Sequence, residues 1–259
     1  MRRDPMHATY FGANGWLLEL AGLRVLVDPW LTGPLQFPPG PWFFQGELAE
    51  SRPAPTDLDL LLLTQGLDDH CHPASLALLP KTLPVVASAS GAAKARQLGF
   101  QQVTALAPGQ QHQLGELSIT ATAGAPVPQV ENGYLLEHPS GSLYLEPHGY
   151  LPANLPGRRL DAVITPVVDL GLPLAGAFVR GTQVLPQLLE RFQPHTVLAS
   201  TAGGDVRFSG LLTQVLWQKG STTAAATGLP QGCRLIDPVV GERYAIAAHH
   251  PRPQHSSPG

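Results

Sequence analysis

The sequence predicts an α/β fold in which helices cover layered sheets, and three observations carry that prediction. Leu58 to Leu63 is a near-continuous apolar run, the mark of a strand buried on both faces. Pro84 to Ser88, a helical stretch from Ala89 to Leu98, and Gln102 to Leu106 follow in a strand, helix, strand rhythm. The 259 residues, 43% of them hydrophobic, are enough to bury a full core.

Taken in order, Ala8 to Phe11, Gly15 to Leu20 and Leu23 to Val27 read as a meander, with Asn14-Gly15 and Ala21-Gly22 as its turns. Asp28 to Pro55 is rich in Pro and Gly but carries Trp30, Phe37, Trp42, Phe43 and Phe44, so a structured loop is expected. Those aromatics either pack across a sheet edge or roof a hydrophobic pocket. The strand at Leu58 to Leu63 leads into a helix beginning near Pro73. Leu117 to Ala123, Gly133 to Glu137 and Ser142 to Glu146 form a second meander, turning at Pro139-Ser140-Gly141. The second half is coarser: strand Ala162 to Thr165, helix from Thr182 to Phe192, strand Thr196 to Ala199, helix from Asp205 to Lys219, and a strand near Tyr244 to Ala247. In the later helix Phe208, Leu211, Leu212, Val215 and Leu216 recur at three- and four-residue spacings. One domain is expected over residues 1–248, and 249–259, with its Pro and Ser, reads as a frayed tail.

Charge and composition narrow the function classes. A net charge of -3 without a run of Lys or Arg gives no footprint for nucleic acid. No segment is long enough to span a bilayer, and no secretion signal follows the basic start. Cys71 and Cys233 lie far apart, so free thiols and a cytoplasmic setting are expected.

Leu63 to Pro73 leaves a rigid buried strand and enters a helix, a favourable place for ligands. Within it stand Gln65, Leu67, Asp69, His70 and His72. The order of Tyr10-Phe11-Gly12 with Gly15-Trp16-Leu17, then Leu26-Val27-Asp28-Pro29-Trp30, then Leu62 to His72, resembles the metallo-β-lactamase-fold superfamily, in its branch of intracellular metallo-hydrolases. The resemblance implies a four-layer αββα sandwich. It also implies a His-x-His-x-Asp-His motif in which two His and a later third hold one zinc, while the Asp and last His hold a second. Here Gln65 and Leu67 occupy the first two positions, and Asp69 and His70 keep the last two. No His stands near Gly124-Ala125-Pro126. The bridging Asp is replaced within Glu146-Pro147-His148-Gly149, and the last His position falls near Ser200-Thr201.

The metal ligands expected on this resemblance are Asp69, His70 and His148, with Asp69 and His70 also the catalytic pair. Asp28, Gln65, Leu67, His72, Glu146 and Thr201 are expected in the pocket or behind the ligands. One divalent ion, zinc, iron or manganese, suits such a set, or none is held. Each residue also has a plainer role: Asp69 and His70 as caps of the following helix, Asp28 as a tie for the loop backbone, His72 as an exposed polar residue, and Cys71 as a buried inert thiol. Two functions follow. One is a hydrolase with at most one ion, acting on an ester or phosphodiester of a small or lipid-like substrate. The other is a non-catalytic protein binding a small apolar or anionic ligand in the same cleft.

Overall fold

The computed structural model describes residues 5–126, 129–200 and 204–247. Two seven-stranded sheets carry the fold. In the first, the strands run Arg243–Ile246, Met6–Gly12, Gly15–Leu20, Leu23–Val27, Leu60–Leu63, Val85–Ala87 and Val103–Ala105 across the sheet. In the second the order is Arg234–Ile236, Thr196–Ala199, Ala162–Thr165, Gly141–Leu145, Asn132–His138, Leu117–Ala123 and Gln111–Leu114.

Side-chain alternation explains the layering. Leu60 and Leu62 join a central core with Trp16, Val86, Tyr134, Leu143, Ile164 and Leu198, drawn from both sheets. Leu61 and Leu63 point to the opposite face and meet Leu76, Ala92 and Ala95 on the helices Pro73–Ala77 and Ala89–Gln97. Val163 and Leu135 likewise meet Val184, Leu188 and Phe192 of the helix Gly181–Phe192. A period of two therefore sends each central strand's residues alternately to the inter-sheet core and to a helix layer. The outcome is the four-layer αββα sandwich.

The predicted helix from Asp205 to Lys219 is not formed. That segment is a strand Val206–Ser209, a short 3-10 turn Leu211–Gln214 and a strand Trp217–Lys219. Gly210 sits at φ 105°, outside any helix, and Phe208, Leu211 and Val215 are exposed, so the helical spacing had no core to face. The aromatic loop splits its residues: Trp30 is buried, Phe44 stacks on Phe208 at 5.5 Å, and Trp42 is 64% exposed. Two short strands, Leu35–Gln36 and Gln45–Leu48, run inside it. Among the described residues no helix is long and apolar enough to cross a membrane. The expected tail, 249–259, lies outside the described residues.

Candidate metal centre

Strands Leu23–Val27 and Leu60–Leu63 are parallel neighbours, with Val27 opposite Leu62. Their C-terminal ends therefore deliver Asp28 and Thr64 side by side. Asp28 accepts the Thr64 backbone N–H at 2.9 Å and the Thr64 hydroxyl at 2.5 Å. Its Oδ2 also lies 2.8 Å from His70 Nδ1. Asp28 thus ties down the loop, the plainer role read from sequence, and also orients an imidazole.

The loop itself is shaped by close packing. Gly66 passes so near the next helix that an added Cβ would meet the Ser90 carbonyl oxygen at 2.6 Å. His70 and Cys71 backbone N–H groups both donate to the Leu67 carbonyl, at 3.0 and 2.7 Å, which turns the chain and buries the His70 side chain completely. Asp69 Oδ2 is 3.2 Å from His70 Nε2, and Asn14 Nδ2 approaches the same nitrogen at 3.2 Å.

The second sheet supplies the facing groups. Glu131 stands just before strand Asn132–His138, and Glu146 and His148 just after Gly141–Leu145, two paired antiparallel strands. His148 Nδ1 is 2.8 Å from Glu131 Oε2, which also accepts from Gln65 Nε2 at 3.1 Å. Glu131 Oε1 accepts the Ala125 N–H at 3.2 Å. Glu146 Oε2 accepts the backbone N–H groups of His148 and Tyr150, at 3.2 and 2.7 Å. The turn is possible because Gly149, at φ 73°, lies where a Cβ would strike the Arg180 carbonyl carbon at 2.7 Å. The rings of His70 and His148 stack with centroids 5.2 Å apart.

His70, Glu131 and His148 each offer a ligand atom, and these atoms lie within 4.8 Å of one another. Around them Asp28, Asp69, Glu131 and Glu146 bring four carboxyls to two imidazoles, and among the described residues no Lys or Arg pairs with any of them. The titrations follow from that imbalance. For His70, burial works against the charged ring, but the carboxylates of Asp69 and Asp28 outweigh it and hold its pKa well above the usual value. Burial would raise Asp69, yet the His70 charge and hydrogen bond lower it overall. Burial pushes Glu131 up to about 7, and burial together with the facing Glu131 drives Glu146 well above the carboxylate range. His148 falls to about 4 through burial and the nearby charge of His70, which leaves a neutral imidazole, the form able to ligate a metal.

This donor set fits one metal ion. Two imidazoles and a carboxylate are a standard catalytic ligand set, and Asp28 at His70 Nδ1 leaves Nε2 turned toward the cluster. Gln65 Oε1, Asp69 Oδ1 and Glu146 Oε1 are buried oxygens without a hydrogen-bond partner among the described residues, a costly condition that a cation or its water would relieve.

The other expected residues are placed as follows. His72 is not exposed: it is buried and caps helix Pro73–Ala77 through Ser75, with Nε2 near the Pro34 carbonyl at 3.2 Å, away from the cluster. The cap thus falls to His72, and Asp69 and His70 stay with the cluster. Leu67 is half-buried and contributes its carbonyl. Ser200 is buried beside a cavity of about 10 Å3 lined by Asn14, Trp16, Asp28 and Pro147. Thr201 lies outside the described residues. Cys71 is buried, and burial lifts its thiol to about 12. Glu131 was not anticipated. The only sequence signal for it is a lone Glu opening a buried strand after a Pro-rich turn.

A family model described as a beta-lactamase superfamily domain matches residues 7–200, well over half of the chain. The chain belongs to the beta-lactamase superfamily. Several solved structures resemble this superfamily member. An isothiocyanate hydrolase from Delia radicum gut bacteria shares 17% identity at a TM-score of 0.67, covering 94% of this chain and 100% of that one. The metallo-beta-lactamase fold protein YhfI from Bacillus subtilis shares 14% at 0.62, covering 93% and 99%. CmlA, a diiron beta-hydroxylase from Streptomyces venezuelae, shares 18% at 0.58, covering 79% of this chain and 46% of that one, so the chain spans less than half of that enzyme. These likenesses are of fold. No curated protein matches.

Proposed function

We propose that this chain is a hydrolase that holds a single divalent ion on His70, Glu131 and His148 and cleaves an ester or phosphodiester of a small or lipid-like substrate. The observation that carries the reading is the convergence of three ligand atoms within 4.8 Å, inside a buried group with more carboxyls than cations. A second ion forms no part of the reading, because the Leu67 side chain ligates nothing and Gln65, whose Nε2 donates to Glu131, offers only a neutral amide oxygen. The single ion is zinc, iron or manganese, each of which accepts imidazole and carboxylate donors. When bound, such an ion lowers the pKa of its water and polarises the scissile group.

The chain's own residues do the rest. Asp28 fixes the His70 ring, and Gln65 fixes the Glu131 carboxylate. Asp69 is the most exposed side chain of the cluster, at 24%, so substrate approaches from its side and its carboxylate is placed to take a proton from water. The 10 Å3 cavity behind Asp28 is too small for substrate and accommodates at most one water.

The test is metal analysis of protein purified without chelator, followed by hydrolysis assays on aryl esters and aryl phosphodiesters. Near-stoichiometric Zn, Mn or Fe with turnover supports the reading. Protein that is metal-free and takes up none of the three when they are added overturns it. An organic ligand carried through purification of such metal-free protein would establish the non-catalytic alternative in its place.

A further inference from the structure

Of the eight large apolar side chains exposed among the described residues, five (Trp42, Leu174, Phe208, Leu211 and Val215) belong to three segments at one end of the sandwich. We propose that these segments form a face that docks the chain on the surface of a lipid bilayer, with the cluster at that same end.

Position is the first argument. Residues 29–46 follow strand Leu23–Val27, while 170–179 and 208–218 come after strands Ala162–Thr165 and Thr196–Ala199. Leu23–Val27 runs parallel to Leu60–Leu63, and Gly141–Leu145 runs parallel to the other two. All three segments therefore leave from the strand ends that deliver Asp28, Thr64, Glu146 and His148. They also meet one another. The Leu211 and Leu212 N–H groups donate to the Trp42 and Phe43 carbonyls at 3.0 and 2.9 Å, and Phe44 stacks on Phe208. Gly171 pairs with Trp217 in antiparallel register. The direction that carries this hairpin on to its tip at Leu174 thus leads back along the neighbour toward Val215 and Leu211.

Charge is the second. None of the three segments contains an Asp, Glu, Lys, Arg or His, although charged residues make up 14% of the chain. Single exposed apolar residues are ordinary, but a joined, charge-free set of them marks an interaction face. The exposed residues that adjoin the segments are Arg180, Arg207, Lys219 and Glu47, the last opposite Arg207 in register. With three cations to one carboxylate, headgroup phosphates meet no acidic rim.

Shape selects the occupant. Leu174 is fully exposed at the tip of a two-stranded hairpin, and Trp42 stands out from its own loop. Protruding apolar tips enter a bilayer interface without needing a matching hollow, and Trp favours that depth. A second copy related by a two-fold axis would set each knob against an identical surface.

The experiment is flotation of the full chain with vesicles of phosphatidylcholine and phosphatidylglycerol, repeated on Trp42→Ser/Leu174→Ser. Flotation reports docking and not turnover, so its outcome is separate from that of the hydrolase reading. The parent chain should float with the vesicles, and the double variant should bind at least about tenfold more weakly. A parent chain left behind by the vesicles overturns the proposal, as does a double variant of unchanged melting temperature that floats as the parent does. Sedimentation velocity without lipid identifies the rival occupant: a parent dimer that the double variant abolishes, with no flotation, gives the face to a second copy. Should the double variant not fold, the parent's Trp emission is measured on phosphatidylcholine brominated in its acyl chains. Quenching is then expected, and unquenched emission overturns the proposal.

Discussion

Asp28 Oδ2 stands 2.8 Å from His70 Nδ1, with both side chains shut away from solvent. The same carboxylate receives the Thr64 N–H, so one residue fixes both the loop backbone and the ring it presents. Asp28→Asn keeps the shape but weakens the acceptor, and metal affinity should fall about 10- to 100-fold with the fold retained. Asp28→Ala removes every bond at once and should cost about 3 kcal/mol or more of stability. Chelator competition and urea unfolding measure the two effects. Unchanged affinity in Asp28→Asn would remove Asp28 from any role in orienting His70.

The hydrogen bond from His148 to Glu131 at 2.8 Å implies that either residue is needed for ion retention. Glu131→Gln and His148→Ala should each lower bound metal to a small fraction of the parent level. Asp69→Asn should instead retain the ion and lose turnover, since Asp69 is not in the set whose ligand atoms converge. Elemental analysis beside an activity assay separates the two classes, and full metal content in Glu131→Gln would exclude that carboxylate as a ligand.

The pH profile of ion-free protein follows from four buried groups. Glu131 and Glu146 have raised pKa values, so their contribution is present at low pH and is lost as pH rises through those values. His148, lowered to about 4, contributes stability above its ordinary value of 6.5 and loses it as pH falls toward 4, which offsets Glu131 over much of that window. His70 is raised, so its contribution is also lost as pH rises, beginning above 6.5. Above neutrality Glu146 and His70 therefore act together, and stability should fall by up to about 1.4 kcal/mol per pH unit for each. A divalent ion takes the place of those protons and should flatten the alkaline limb. Urea midpoints across the range, with and without chelator, measure this. A profile that stays level above neutrality in chelator would contradict it.

Cys71, buried and with its thiol lifted to about 12, should not react with a thiol reagent at neutral pH until the chain unfolds. Cys233 is only partly buried and should react first. Counting labelled thiols by mass before and after denaturant settles the order. Early labelling of Cys71 would mean that the loop from Thr64 to His72 opens readily.

The layered α/β class was legible in the sequence because a continuous apolar run such as Leu60–Leu63 is a local property of a strand buried on both faces, and the four-layer sandwich came with the family resemblance. The Asp28 and His70 pairing was not, because it emerges only once two parallel strands are seen to end beside each other. Glu131 was not legible. Its approach to His148 depends on the pairing of Asn132–His138 with Gly141–Leu145, and nothing within a few residues of Glu131 announces it. The segment from Asp205 to Lys219 misled for the opposite reason. Its spacing matches a helix, but Gly210 breaks the run, and Leu211 and Leu212 hydrogen-bond to the backbone of Trp42 and Phe43. The motif suggested Asp69 as the carboxylate partner of the two histidines, and the structure holds Asp69 Oδ2 at 3.2 Å from His70 Nε2 while it also brings a ligand atom of Glu131 together with those of both histidines.

His70 hangs from the first sheet while Glu131 and His148 hang from the second, and the Thr64 carbonyl already receives the Asn132 N–H across the gap at 3.0 Å. An ion gripped by all three would act as a rivet between halves of the chain that leave the ribosome one after the other. The amino-terminal strands are made first and have nothing to close upon until the later strands arrive. Metal capture would then report that assembly is complete.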